Sequence, residues 1–143
     1  MKLVSKILFS LISLSITTVA FAENVVIIVN ESNAQTLSAD DVKAIYSDNV
    51  IQWNNGTAIK VYDLPVKKET REKFSQRIMG TSARAVAKEW ANRKITNTAK
   101  NPPKTKKERL VVASVKKKEN AIGYVSESAI KGKSGIKVIM TLK

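Results

Sequence analysis

The chain has 143 residues, with 25 Lys and Arg against 12 Asp and Glu, and neither histidine nor cysteine. Those two absences exclude a Ser-His-Asp or Cys-His nucleophile and any disulfide, and they argue against an ordinary zinc site. The twelve acids are scattered, with no pair spaced for acid–base work, so neither enzymatic activity nor a cofactor is expected.

The elements begin with an export signal. Lys2 and Lys6 make a positive start, residues 7–19 are mostly apolar and uncharged, and Ala20-Phe21-Ala22 is a small-x-small cleavage pattern. Residues 1–22 therefore read as a cleavable secretory leader, with Glu23 opening a mature domain over 23–143. The apolar run falls short of the roughly 20 residues that a spanning helix needs, so no membrane span is expected after cleavage. A lipoprotein would need a cysteine. The leader is of bacterial type and points to the periplasm. Taking its two lysines away leaves a charge of +11 on 121 residues, one domain with room for a core. Such a charge favours anionic partners; the plain alternative is a solvated basic surface.

Residues 24–30 (NVVIIVN) form a continuous β-branched run, expected as a strand buried on both faces. Residues 31–36 read as a loop. Ser38 then caps a short helix over 39–46, with Val42, Ile45 and Tyr46 inward. Residues 47–56 carry Asp48, Asn49, Asn54, Asn55 and Gly56, a turn-rich segment around Trp53. That tryptophan is either a lid on the core, the favoured role, or a ligand-stacking group. Residues 58–64 (AIKVYDL) read as a second strand ended by Pro65.

A helix follows over 68–79, with Phe74 and Ile78 on one face and Gly80 as its stop. Ser82 caps the next helix, whose Ala83, Val86, Ala87, Trp90 and Ala91 recur at helical spacing. Residues 94–107 read as a basic loop around Pro102-Pro103. Thr105-Lys106-Lys107-Glu108 matches a capping box for a helix over 106–117 with Val111 and Val115 inward. Lys116, Lys117 and Lys118 would oppose its dipole. Residues 121–125 (AIGYV) and 136–140 read as two last strands. The order β-α-β-α-α-α-β-β argues for an α/β domain, a mixed sheet with helices packed on it.

Three of these segments resemble the substrate-binding protein of the phosphate ABC transporter, within the type 2 periplasmic-binding superfamily. The first is 26–53: a strand ending in Asn30, a loop with Ser32 and Asn33, Leu37-Ser38 opening a helix, then Ala44-Ile45-Tyr46-Ser47 and Gln52-Trp53. The second is 58–74, which leads into the family's anion loop. The third, Ala121-Ile122-Gly123-Tyr124-Val125, is similar to the family's Gly-Ala-Ile-Gly-Tyr signature. The resemblance implies a single periplasmic-binding-type lobe in place of the family's two. Its loop pattern, Arg-x-x-x-Ser-Gly-Thr running into a helix with a Phe, is met at Thr70 and Phe74. Leu64 stands at the Arg position and Lys68-Glu69 at the Ser-Gly pair.

Lys67, Lys68, Thr70 and Arg71 still surround a helix start, where unpaired N–H groups and the dipole favour an anion. Glu69 opposes them, and a solvated first turn is the ordinary reading. The resemblance places Asn30, Ser32 and Asn33 at the same sheet edge, completing a candidate anion site; an ordinary turn is their plain reading. The expected function is a periplasmic solute-binding-like domain that takes phosphate or another small anion for uptake, with a transporter protein as partner. The alternative is a non-catalytic envelope interaction module that has lost ligand binding and docks on a protein or an anionic polymer. The lysine clusters at 100–109 and 116–118 lack interleaved aromatics, so no specific nucleic acid is expected.

Overall fold

A computed structural model of the chain describes residues 23–143; the expected leader and its cleavage site at Ala22 lie outside them. The apolar run forms strand β1, Val25–Asn30, buried along its whole length. It lies between β4 (Ala121–Ser126) and β5 (Ile136–Leu142) and is antiparallel to both. On its far side β4 pairs in parallel with β2, Lys60–Asp63. A two-residue strand β3, Lys104–Thr105, adds in parallel to β2. The sheet is therefore mixed, in the order β3-β2-β4-β1-β5, with helices packed on it. The expected α/β architecture is present.

Successive strand residues face opposite sides of the sheet. On one side Tyr124 meets Tyr46 of helix α1 (Ala39–Tyr46) and stacks flat on Phe74 of α2 (Glu69–Phe74), with ring centroids 3.8 Å apart. On the other side α4 (Glu108–Lys117) lies over Gly123, where an added Cβ would sit 2.5 Å from Val111 Cγ1. The missing side chain lets helix and sheet approach. Tyr46 also donates its hydroxyl to Tyr62 O at 2.7 Å, tying α1 to the edge of β2. Ser38 caps α1 as expected, and with Asp41 it makes a full capping box, worth about 1 kcal/mol.

Three local expectations fail, and a fourth segment, the loop 94–107, is present for most of its length but held in place. The helix expected over 68–79 is α-helical only to Phe74 and continues as a π-helical turn, Ser75–Met79, which Gly80 ends at φ 72°. The capping box at Thr105 does not form. Thr105 belongs to β3, Lys107 takes the cap position without a side-chain bond, and the Glu108 carboxylate accepts from Ser126 N and Oγ instead. The loop 94–107 is anchored: the buried Asp48 carboxylate accepts from Lys100 N and Asn101 N at 2.6 and 2.7 Å. Helix α3, Ala83–Ile95, sends only part of its apolar stripe inward. Ala83, Val86 and Trp90 are buried, whereas Ala91 is exposed and Ala87 half-buried.

Candidate functional site

The two halves of the expected anion site do not meet. Because β1 is antiparallel to β4 and β2 is parallel to it, β1 and β2 run in opposite directions. Asn30, Ser32 and Asn33 leave the sheet at one end, and Lys67, Lys68, Thr70 and Arg71 follow β2 out of the other. The expectation of a shared edge is corrected by this strand direction.

At the first end Asn30 is buried and committed. Its Nδ2 donates to Val115 O and Lys116 O at 2.9 and 3.0 Å, closing the C-terminus of α4, while Oδ1 accepts from Ser32 N. Asn33 Oδ1 accepts from Gln35 N at 2.8 Å. Ser32 and Asn33 border a cleft whose only charged lining residue is Glu119. Trp53 forms one wall of that cleft, but it is buried and donates Nε1 to Asn120 O at 3.0 Å, consistent with the core role.

At the other end Lys67 and Lys68 are exposed, and Lys68 takes the cap position of the six-residue α2 without a side-chain bond. Thr70 lies in a shallow notch with Glu23, Glu69 and Lys73, so two carboxylates share its surroundings. Arg71 differs from all of these. It turns inward and forms an ion pair with Asp63, Nη2 to Oδ2 at 3.2 Å, with both side chains less than a tenth exposed. Its Nη1 donates to Leu64 O at 2.7 Å. The other carboxylate oxygen, Asp63 Oδ1, accepts from Leu64 N at 2.8 Å and from the Tyr124 hydroxyl.

Burial pushes the Asp63 carboxyl above its ordinary value, against the pull of the Arg71 charge, the Tyr124 hydroxyl and the Leu64 N–H. Burial, reinforced by the Asp63 charge, also holds the Tyr124 phenol far up. The carboxylate is thus a costly buried charge kept in place by one cation and two hydrogen bonds.

The ion pair opens onto a cavity of about 240 Å³. Helix α3 contributes Ala87, Trp90, Ala91 and Lys94, and the anchored loop contributes Pro102, Pro103 and Thr105. The uneven stripe of α3 has its explanation here: residues that read as core face line a cavity instead. Arg93 lies 5.2 Å over the Trp90 ring and pairs with Asp48 at 3.9 Å, so one arginine braces both walls. Arg71 and Lys94 against Asp63 leave one net positive charge among mostly apolar walls. The guanidinium uses one N–H on Leu64 O and another on Asp63, so it retains donors for a ligand. Such an arrangement can hold and orient a small anion; among the described residues no acidic cluster suited to a metal ion is present. Of this cavity, only Arg71 was a sequence-derived site residue. Asp63 is hidden within a strand, and Trp90 and Lys94 within a helix pattern. The Pro-Pro pair was visible, but nothing local pairs it with Arg71.

Three solved structures share the fold. An ABC-type phosphate transport receptor from Vibrio cholerae aligns with a TM-score of 0.62 and 18% identity, over 82% of this chain and 46% of its own. A possible phosphate binding protein from Planctomyces limnophilus gives 0.64 and 14%, over 82% and 40%. A protein assigned as a phosphate ABC transporter substrate-binding protein, with bound phosphate, from Clostridium perfringens gives 0.62 and 20%, over 82% and 44%. The chain spans less than half the length of these structures. Comparison with curated proteins gives no match. A family model described as a PBP superfamily domain matches residues 16–138, most of the sequence, and the chain therefore belongs to that family.

Proposed function

We propose that this domain is an exported solute-binding module whose cavity over Asp63 and Arg71 takes a small anion, phosphate or an organic acid, for uptake. The observation that carries the reading is a buried arginine at the floor of a cavity, with donors to spare and a second cation, Lys94, in the lining. The phosphate-related names of the structural neighbours support an anionic solute and a transporter partner, and the leader pattern over 1–22 supports export to the periplasm. The apolar contribution of Trp90, Pro102 and Pro103 favours an organic anion over the bare inorganic ion, because burying apolar surface strengthens the former alone.

Isothermal titration with inorganic phosphate and with benzoate, with Trp fluorescence as a second readout, tests the reading. Heat with either anion that disappears in Arg71→Met supports it, provided that this variant remains folded by circular dichroism. No heat from either at millimolar concentration removes the solute-binding reading and leaves the envelope docking module.

A further inference from the structure

On the sheet face opposite the cavity, four side chains converge beside α4. Tyr62 is 1% exposed. Lys118 Nζ donates to its hydroxyl oxygen at 2.8 Å and lies 5.5 Å from the ring centroid. That separation is nearly the longest that a 2.8 Å bond to the phenol oxygen allows, so the ammonium sits end-on to the hydroxyl and not over the ring. Lys106 Nζ lies 5.4 Å from the same centroid and 3.5 Å from Ser114 Oγ.

Neither lysine has a carboxylate. The ion pairs among the described residues all belong to Arg71 and Arg93. Two half-buried ammonium groups thus approach one phenol with nothing to neutralise them. The surrounding charge deepens the imbalance: Lys104 is the register partner of Tyr62, and Lys60 lies two residues before it on the same face. Burial alone would push the Tyr62 phenol up. Hydrogen bonds with Lys118 and Ser114 and the charges of Lys118 and Lys106 outweigh it and bring the phenol below its ordinary 10.0.

We propose that Tyr62, Ser114, Lys106 and Lys118 form a second anion site, suited to a tetrahedral oxyanion, phosphate or sulfate, free or as a terminal ester. Two ammonium groups supply the charge that a dianion cancels, and lysine binds phosphate as a point charge without needing the planar fork of arginine. Because Tyr62 accepts from Lys118, its own proton is available to an anion oxygen, and Ser114 steadies Lys106 Nζ beside it. The site shares no residue with the cavity over Arg71 and stands independently of the function proposed for it.

A tyrosinate absorbance titration of the intact chain, in chloride, sulfate and inorganic phosphate at matched ionic strength, tests the site. Phosphate and sulfate, unlike chloride, are expected to raise the Tyr62 step by about one pH unit, because a bound anion cancels the field of the lysines. Lys106→Gln with Lys118→Gln abolishes the phosphate effect. Lys106→Gln alone, which keeps the Lys118 bond to Tyr62, weakens phosphate about tenfold. Ala91→Trp, which fills the cavity over Arg71, leaves the effect in place.

An equal shift in chloride, or no shift with either inorganic phosphate or vesicles carrying phosphatidic acid, overturns the proposal. So does a phosphate shift that survives the double lysine variant; if Ala91→Trp removes that shift, the cavity reading stands without this one. Phosphatidylcholine vesicles carrying phosphatidic acid separate the sources. A shift with vesicles alone assigns the site to a lipid phosphate, and a shift with inorganic phosphate alone assigns it to the free anion.

Discussion

Removing Arg71 strips the buried Asp63 carboxylate of the one cation it has among the described residues and leaves it two hydrogen bonds, from Leu64 N and the Tyr124 hydroxyl. Breaking a buried pair from one side costs about 3–5 kcal/mol, a large part of the roughly 5–15 kcal/mol that holds a domain together. Arg71→Met is therefore expected to lower the urea midpoint sharply, read from the fluorescence of Trp53 and Trp90. Asp63→Asn keeps an acceptor for the Tyr124 hydroxyl and leaves a guanidinium that cavity water can solvate, so its loss is smaller. The double variant buries no charge, and a coupling of about 2 kcal/mol between the two sites should make its loss that much smaller than the sum of the two single losses.

The pH dependence carries a sign. The Asp63 carboxyl already titrates above its ordinary 3.8, and loss of Arg71 removes a force that lowers it. A carboxyl raised in the folded state favours folding at pH values below its unfolded pKa, and that benefit is lost as pH climbs through the folded value. The penalty of Arg71→Met should thus be full at neutral pH and shrink on acidification through the raised Asp63 value. An Arg71→Met midpoint matching wild type at neutral pH, or a double variant that simply adds the two losses, would refute the account of the pair.

Other perturbations follow from the packing and the remaining polar bonds. Gly123→Ala should cost about 1–3 kcal/mol in urea unfolding because its methyl group meets Val111; pairing it with Val111→Ala should recover part of that loss, and full tolerance of Gly123→Ala would deny the close approach of α4. Asn30→Ala leaves the carbonyls of Val115 and Lys116 without their donor, a loss of about 1–3 kcal/mol, with faster amide exchange in the last turn of α4 as the local signature. The three tyrosines should separate in alkaline titration. Tyr62 ionises below 10.0, whereas burial keeps Tyr46 and Tyr124 neutral until the fold gives way. Since the latter two titrate higher folded than unfolded, their contribution to stability is present below the unfolded tyrosine value and lost as pH rises. A single transition of three tyrosines would contradict these environments.

The elements most legible in the sequence were those whose signals are local. The run 25–29 has no polar alternation and had to be covered on both faces; Ser38 with Asp41 marks the start of α1 to the residue. What escaped depends on partners distant in the chain. Nothing near Asn30 reveals that β1 opposes β2 in direction, so the residues expected to share one anion site lie at two ends of the sheet. Glu108 carries a capping-box spacing but spends its carboxylate on Ser126, which pattern reading cannot see. Asp48 looked like a turn residue, and it does hold a left-handed φ of 69°, yet its carboxylate organises the loop that walls the cavity. Arg71 stands in sequence beside lysines and a threonine, but its partner Asp63 is eight residues back, inside the strand it follows.

The position of β1 sets an order of events for the chain as it is made. Among the described strands the first to appear is the one whose two neighbours, β4 and β5, come last, with pairings such as Val25 to Ser126 and Val25 to Leu142. A chain emerging from its N-terminus therefore holds five of its most apolar residues unpartnered until nearly all of it has followed. Contacts this distant close slowly. The sheet stays open while the chain is made and locks only when the final strand pairs.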